Sequence, residues 1–243
     1  MESTDWAGAP LEGYARYAVY WAPRPESGLA RAGAAWLGWD PATGASDPER
    51  AADPRVEAPR RYGLHATLKP PFRLAEGVTP AALDNAVAAL AASLAPAEAP
   101  ALAVDAALGF LSLRPAGPCP AIDHVAGACV ERLDPLRAPL TDAERARRRP
   151  ERLDAAARAR LERWGYPHVF EGFRFHITLT GRLDPAEAEA LRPVLAERFA
   201  PHIAGPFALD ALCLFGDPGA RENGTGGDGG AGFRLLRHHA LAV

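Results

Sequence analysis

His65-Ala66-Thr67-Leu68 and His176-Ile177-Thr178-Leu179 are one four-residue pattern used twice, 111 residues apart. Side chains on a β-strand alternate between two faces. A strand carrying this pattern must bury its apolar residues on one side and present histidine and threonine on the other. In the second copy Phe173, Phe175, Ile177 and Leu179 form the apolar face, and Arg174, His176, Thr178, Thr180 and Arg182 form the polar one. In the first, Leu64, Ala66 and Leu68 lie opposite His65, Thr67 and Lys69. Two such hits among the seven histidines arise by chance in roughly 0.005 of chains of this composition.

Each polar face offers an imidazole, a hydroxyl and a nearby cation, a set that suits a phosphate. Histidine titrates near neutrality and gives or takes a proton. Threonine donates to a phosphoryl oxygen, and Lys or Arg balances its charge. A lone histidine is more simply read as packing. Two of them with matched hydroxyls on two polar strand faces need another reason. The candidate catalytic residues are therefore His65, Thr67, His176 and Thr178, with Lys69, Arg174 and Arg182 adding charge. Arg137, in an apolar loop, and Tyr166, just before the second motif strand, are further candidates for substrate contact. Core packing is an equal alternative for Tyr166. Neither motif carries a carboxylate–histidine cluster at metal-ligand spacing, so no metal and no cofactor are expected.

The chain has 243 residues, 48% hydrophobic and 23% charged, within the range of globular proteins and enough for one large domain or two small lobes. A net charge of −3 argues against a long nucleic-acid partner and favours a small phosphorylated one. No apolar run has the roughly 18 residues of a membrane helix, and Met1–Pro10 lacks the pattern of a leader. The expected location is the cytoplasm. Cys119, Cys129 and Cys213 are odd in number and widely spaced, as reduced and mostly buried thiols would be.

Strands are predicted over Tyr14–Trp21, Tyr62–Lys69 (stopped by Pro70-Pro71), within Leu102–Arg114, and over Phe173–Arg182, Phe207–Phe215 and Phe233–Leu241. Helices are predicted over Ser27–Trp36, Thr79–Leu94, Ala121–Leu133, Thr141–Arg163 (broken at Pro150) and Asp184–Phe199, several opening on an N-cap or a Pro at N1. Asp40–Pro59 and Gly216–Gly232 read as loops. The latter lacks the Gly-Lys-Ser/Thr ending of a phosphate-binding loop. Arg145–Arg149 reads as a solvated helix face. His238 and His239 point to opposite faces of a strand and read as structural, and Trp36 and Trp39 as packing. The order is an α+β layout in two lobes. The first motif lobe covers about 60–115, a charged helical segment about 120–165, and the second motif lobe about 166–215, all within one domain over 1–243.

The doubled motif resembles the two-histidine phosphoesterase superfamily. The longer strings Tyr62–Phe72, Trp164–Pro167 and Phe173–Leu183, with Trp36–Asp40 and Arg137–Thr141, resemble its branch associated with phosphonate metabolism, often encoded beside carbon–phosphorus lyase genes. The resemblance implies a bilobed fold, with two antiparallel-rich sheets facing a central cleft, helices outside and no metal. It implies a cyclic phosphodiesterase in which one neutral histidine activates water and the other, protonated, serves the leaving oxygen. Which histidine is which stays open. The implied substrate is a phosphorylated ribose cyclic phosphate of phosphonate catabolism. An RNA-end 2′,3′-cyclic phosphodiesterase and a non-catalytic nucleotide or phosphosugar sensor are the alternatives.

Overall fold

In the computed structural model, which describes residues 6–219 and 232–242, ten strands and eight α-helices are formed among those residues. The strands are β1 (Trp6–Ala7), β2 (Arg16–Trp21), β3 (Ala66–Phe72), β4 (Ala97–Ala99), β5 (Leu102–Asp105), β6 (Phe110–Pro115), β7 (Ile177–Arg182), β8 (Phe207–Leu209), β9 (Ala211–Asp217) and β10 (Arg234–Ala240). The helices are α1 (Gly28–Leu37), α2 (Pro48–Ala51), α3 (Glu57–Arg60), α4 (Pro80–Ala91), α5 (Pro120–Arg132), α6 (Asp142–Arg147), α7 (Ala155–Trp164) and α8 (Pro185–Ile203).

Most of the helices begin where the sequence supplies a cap. The Ser27, Thr79, Asp154 and Asp184 side chains accept from Ala30, Ala82, Ala157 and Glu187 backbone N–H groups, and Thr141 and Glu144 form a reciprocal capping box. Each such cap contributes about 1 kcal/mol. The stretch 40–59 is not all loop. Asp47 followed by Pro48 opens α2, and α3 follows, both only four residues long. No helix among the described residues is long and apolar enough to cross a membrane. All three cysteines are free. Most of the expected loop Gly216–Gly232 lies outside the described residues.

Eight strands form one sheet in the order β1-β10-β9-β2-β3-β7-β6-β5, every neighbouring pair antiparallel, and β4 and β8 form a two-stranded ribbon. The α+β class holds, with one large sheet in place of two sheets facing each other. The motif strands lie side by side within it. β6, which follows β3 in the chain, pairs with β7 and carries β5 on its other edge. β9, which follows β7, pairs with β2. The seam between β3 and β7 is a single residue pair, Ala66 with Ile177.

The sheet has two apolar faces of unequal size. Val19, Trp21, Ala66, Leu68, Leu113 and Ile177 belong to the main core with buried residues of α1, α4, α5 and α8. Ala18, Tyr20, Cys213, Phe215, Phe233 and Leu235 form a smaller cluster against Tyr62 and Trp6.

Two predicted boundaries move for physical reasons. β3 does not stop at Pro70-Pro71. Tyr17 pairs with Phe72 and Val19 with Lys69, so two β3 residues face one on β2. That bulge seats the prolines where no ladder N–H is required. β7 starts at Ile177, not Phe173. A 3-10 turn over Phe170–Gly172 precedes it, and the Arg174 carbonyl is taken by the His176 ring, not by a neighbouring strand.

Candidate functional site

The Ala66–Ile177 pair, carried one residue to either side, sets His65 opposite Thr178 and Thr67 opposite His176. Opposite residues share a face, and Ala66 and Ile177 point into the core at 1% and 0% exposure. The two histidines and two threonines therefore share the other face. Directly opposite Cβ atoms in an antiparallel pair lie about 5 Å apart and diagonal neighbours about 7 Å. His65 and His176 are such a diagonal pair, close enough to reach one phosphoryl group. Thr67 Oγ1 lies 3.4 Å from His65 Nε2.

Both imidazoles are held the same way. Nδ1 of His65 lies 3.0 Å from the Gly63 carbonyl, and Nδ1 of His176 lies 2.7 Å from the Arg174 carbonyl. A carbonyl only accepts, so in each ring Nδ1–H donates and Nε2 keeps its lone pair. Burial is the main force lowering both basicities. His65 falls to about 4, with the Gly63 carbonyl opposing the shift and His176 adding to it. His176 is lowered by burial, with Arg114 and His168 adding to it and the Arg174 carbonyl opposing it. Both shifts favour the neutral ring. A bound phosphate dianion would raise both pKa values.

Aromatic rings enclose His65. Tyr20 lies 4.2 Å from it between ring centroids and Tyr62 lies 5.3 Å away. Phe110 lies 5.6 Å from His176. Tyr166 belongs to the same neighbourhood, because its hydroxyl interacts electrostatically with those of Tyr62 and Tyr20. The Arg148 guanidinium sits 4.8 Å from the Tyr166 ring centroid.

Other predicted residues lie elsewhere or point away. Lys69 does not accompany His65 and Thr67. Thr67 pairs with Tyr20, but Lys69 pairs with Val19, so β3 holds an extra residue between them and the alternation is reset. Lys69 is 2% exposed, and its Nζ donates to the Val130 carbonyl at 3.0 Å and to Asp134 at 3.4 Å. Burial lowers its pKa to about 8 against the opposing pull of Asp134. Arg137 binds the same Asp134 at 2.8 Å. Arg174 is exposed and folds back on the Glu171 carbonyl at 2.9 Å. Arg182 is exposed, opposite Phe110. Thr180 is 1% exposed and its hydroxyl accepts from Leu111 N–H, so it serves the sheet.

Trp36 and Trp39 pack, donating to the Leu179 and Phe233 carbonyls. His239 bonds Asp84 at 2.8 Å. Arg145, within the charged helical run, pairs with Glu162. Among the described residues no group of three His, Cys, Asp or Glu side chains could hold a metal ion.

Sequence reasoning missed Tyr20, Tyr62, Ser112 and Arg114. Ser112 pairs with Thr178 across β6 and β7, and the next-but-one position sets Arg114 opposite His176. Their signal lies in strand register, which no local pattern carries.

Residues 67–223 match the family described as "Protein of unknown function (DUF1045)". The chain is 39% identical over 217 residues to a protein of Janthinobacterium sp. (strain Marseille) named ribose 1,5-bisphosphate phosphokinase PhnN, covering 84% of this chain and 48% of that protein. It is 39% identical over 231 residues to a protein of the same name from Laribacter hongkongensis (strain HLHK9), covering 91% of this chain and 51% of that one. The chain thus spans about half the length of the curated relatives it matches.

These names overturn the expected cyclic phosphodiesterase. A phosphokinase transfers a phosphoryl group to an acceptor and is not a hydrolase. The RNA-end phosphodiesterase and the nucleotide or phosphosugar sensor do not fit either. The physical reason is plain. Hydroxyl donors and imidazoles on one face suit any phosphoryl group, and nothing in the His-x-Thr pattern selects water as the attacking species.

Proposed function

The chain belongs to the DUF1045 family, and within it we propose that this protein holds a ribose bisphosphate for phosphoryl transfer in phosphonate metabolism. The observation that carries the reading is the shared face of His65, Thr67, His176 and Thr178, whose register brings two neutral Nε2 atoms and two hydroxyls together. In this role the threonine hydroxyls donate to phosphoryl oxygens, and the imidazoles, taking up a proton at Nε2 as the anion binds, donate to them as well. The names of the relatives support the substrate class.

The only lysine, Lys69, is followed by Pro70, so these 243 residues contain no glycine-rich loop ending in Lys-Ser/Thr. That loop cradles nucleotide phosphates in one large class of phosphotransferases. We therefore assign this chain the phosphosugar side of the transfer and not the nucleotide side.

Calorimetric titration with ribose 1,5-bisphosphate tests the reading. Binding should weaken about 10- to 100-fold in His65→Ala and in His176→Ala, the loss expected for one hydrogen bond to a charged group. Undetectable binding to the unmodified chain, or variants that both bind as tightly as it does, would contradict it.

A further inference from the structure

Ser112 Oγ and Arg114 Nε, on the histidine-bearing face beside Thr178 and His176, are shielded from solvent and have no hydrogen-bond partner. Ser112 stands opposite Thr178 and, on its other edge, opposite Asp105. Arg114 Nη1 donates to Asp105 at 2.9 Å. The guanidinium is thus fixed on one side by Asp105, and the shielded Nε has no acceptor. The Arg114 side chain is 23% exposed, so a ligand can reach the open part of its guanidinium but not the shielded Nε, and Ser112 is 0% exposed, so a ligand cannot reach it.

A buried donor without an acceptor is costly and calls for an explanation. The two lie on one strand, next to Thr178 and His176. The other end of the face differs, since Tyr20 and Tyr62 wall in His65.

We propose that Arg114 seats a second phosphate of the ligand beside His176, with Ser112 as a positioning residue behind Thr178. The inference rests on the ribose bisphosphate reading. One phosphate lies between the histidines, the pentose leads from it along the β7–β6 edge, and the other phosphate accepts from the open part of the Arg114 guanidinium. When Thr178 turns its proton toward the ligand, its oxygen becomes the acceptor that Ser112 lacks. Cross-strand Ser–Thr pairs of this kind are within hydrogen-bond reach.

The test is calorimetry with ribose 1,5-bisphosphate, ribose 5-phosphate, pyrophosphate and inorganic phosphate on the unmodified chain, Arg114→Gln, Arg114→Lys and Ser112→Ala. The unmodified chain should prefer the bisphosphate over the monophosphate by about 10-fold or more, a difference of one charged hydrogen bond. Arg114→Gln should abolish that preference and leave monophosphate binding within about twofold. Arg114→Lys, which keeps the charge without the fork, should restore it only in part. Ser112→Ala should weaken all phosphates about threefold to tenfold while the melting temperature stays level or rises, because an unsatisfied hydroxyl is removed. Arg114 variants that keep the preference, or that weaken mono- and bisphosphate alike, would overturn the seat. A Ser112→Ala chain that melts lower and binds normally would overturn the positioning role. If the unmodified chain bound no ribose phosphate, the ribose reading would fall alone. The seat would then stand only if Arg114→Gln weakened pyrophosphate more than inorganic phosphate, and equal losses or no binding would overturn it too.

Discussion

His65 and His176 are diagonal neighbours across the β3–β7 seam, and each donates from Nδ1 to the carbonyl two residues before it. The matched bonds fix matched tautomers. Two rings from separate parts of the chain therefore present the same nitrogen to one face, ready for proton exchange without a search of rotamers.

Burial of His65 has a cost that pH should reveal. Its folded pKa, about 4, lies below the ordinary value of 6.5. Between those values the unfolded chain takes up a proton that the folded chain refuses, so stability falls as pH drops through that window. His65 alone should account for about 3 kcal/mol across it. Melting temperature measured from pH 7 to pH 4 should fall steeply, and less steeply in His65→Gln. Parallel curves for the two proteins would refute the buried neutral ring.

Tyr20 should govern that basicity, because its ring covers His65 at 4.2 Å. Tyr20→Ala opens the cover and lets water in, so the His65 pKa should climb toward 6.5 in an NMR titration. Stability should drop by about 3–5 kcal/mol, as for other aromatic truncations in a core. An unchanged His65 titration would mean that other groups keep it dry.

Lys69 should be dispensable for ligand binding despite its place two residues after Thr67. It is tied to Val130 and Asp134. Lys69→Met should leave ribose bisphosphate affinity within about twofold, while costing about 1–3 kcal/mol of stability from the loss of a buried charged partner. Asp134 keeps Arg137 at 2.8 Å, which limits the damage. A tenfold loss of affinity with unchanged stability would return Lys69 to the site.

Much of the local structure is legible in the sequence, because caps and proline starts act over three or four residues. Ser27, Thr79 and Asp184 open helices as their side chains dictate. The motif tetrad is legible because strand alternation is local. What fails is everything set by pairing at a distance. The bulge that turns Lys69 away exists only because β2 lies opposite β3 with one residue fewer. The aromatic cover from Tyr20 and the Ser112–Arg114 pair come from strands at other places in the chain, brought alongside by register. Reaction type fails for another reason: a phosphate-holding face looks the same whether the phosphoryl group goes to water or to an acceptor.

The central claim, that one phosphoryl group engages both histidines, is tested most directly by the ring-proton NMR shifts of His65 and His176 during addition of ribose 1,5-bisphosphate across a pH series. Both pKa values should rise together and saturate at one ligand per chain, since a dianion near each Nε2 favours the protonated ring. A titration in which neither ring responds, or only one does at saturating ligand, would contradict it.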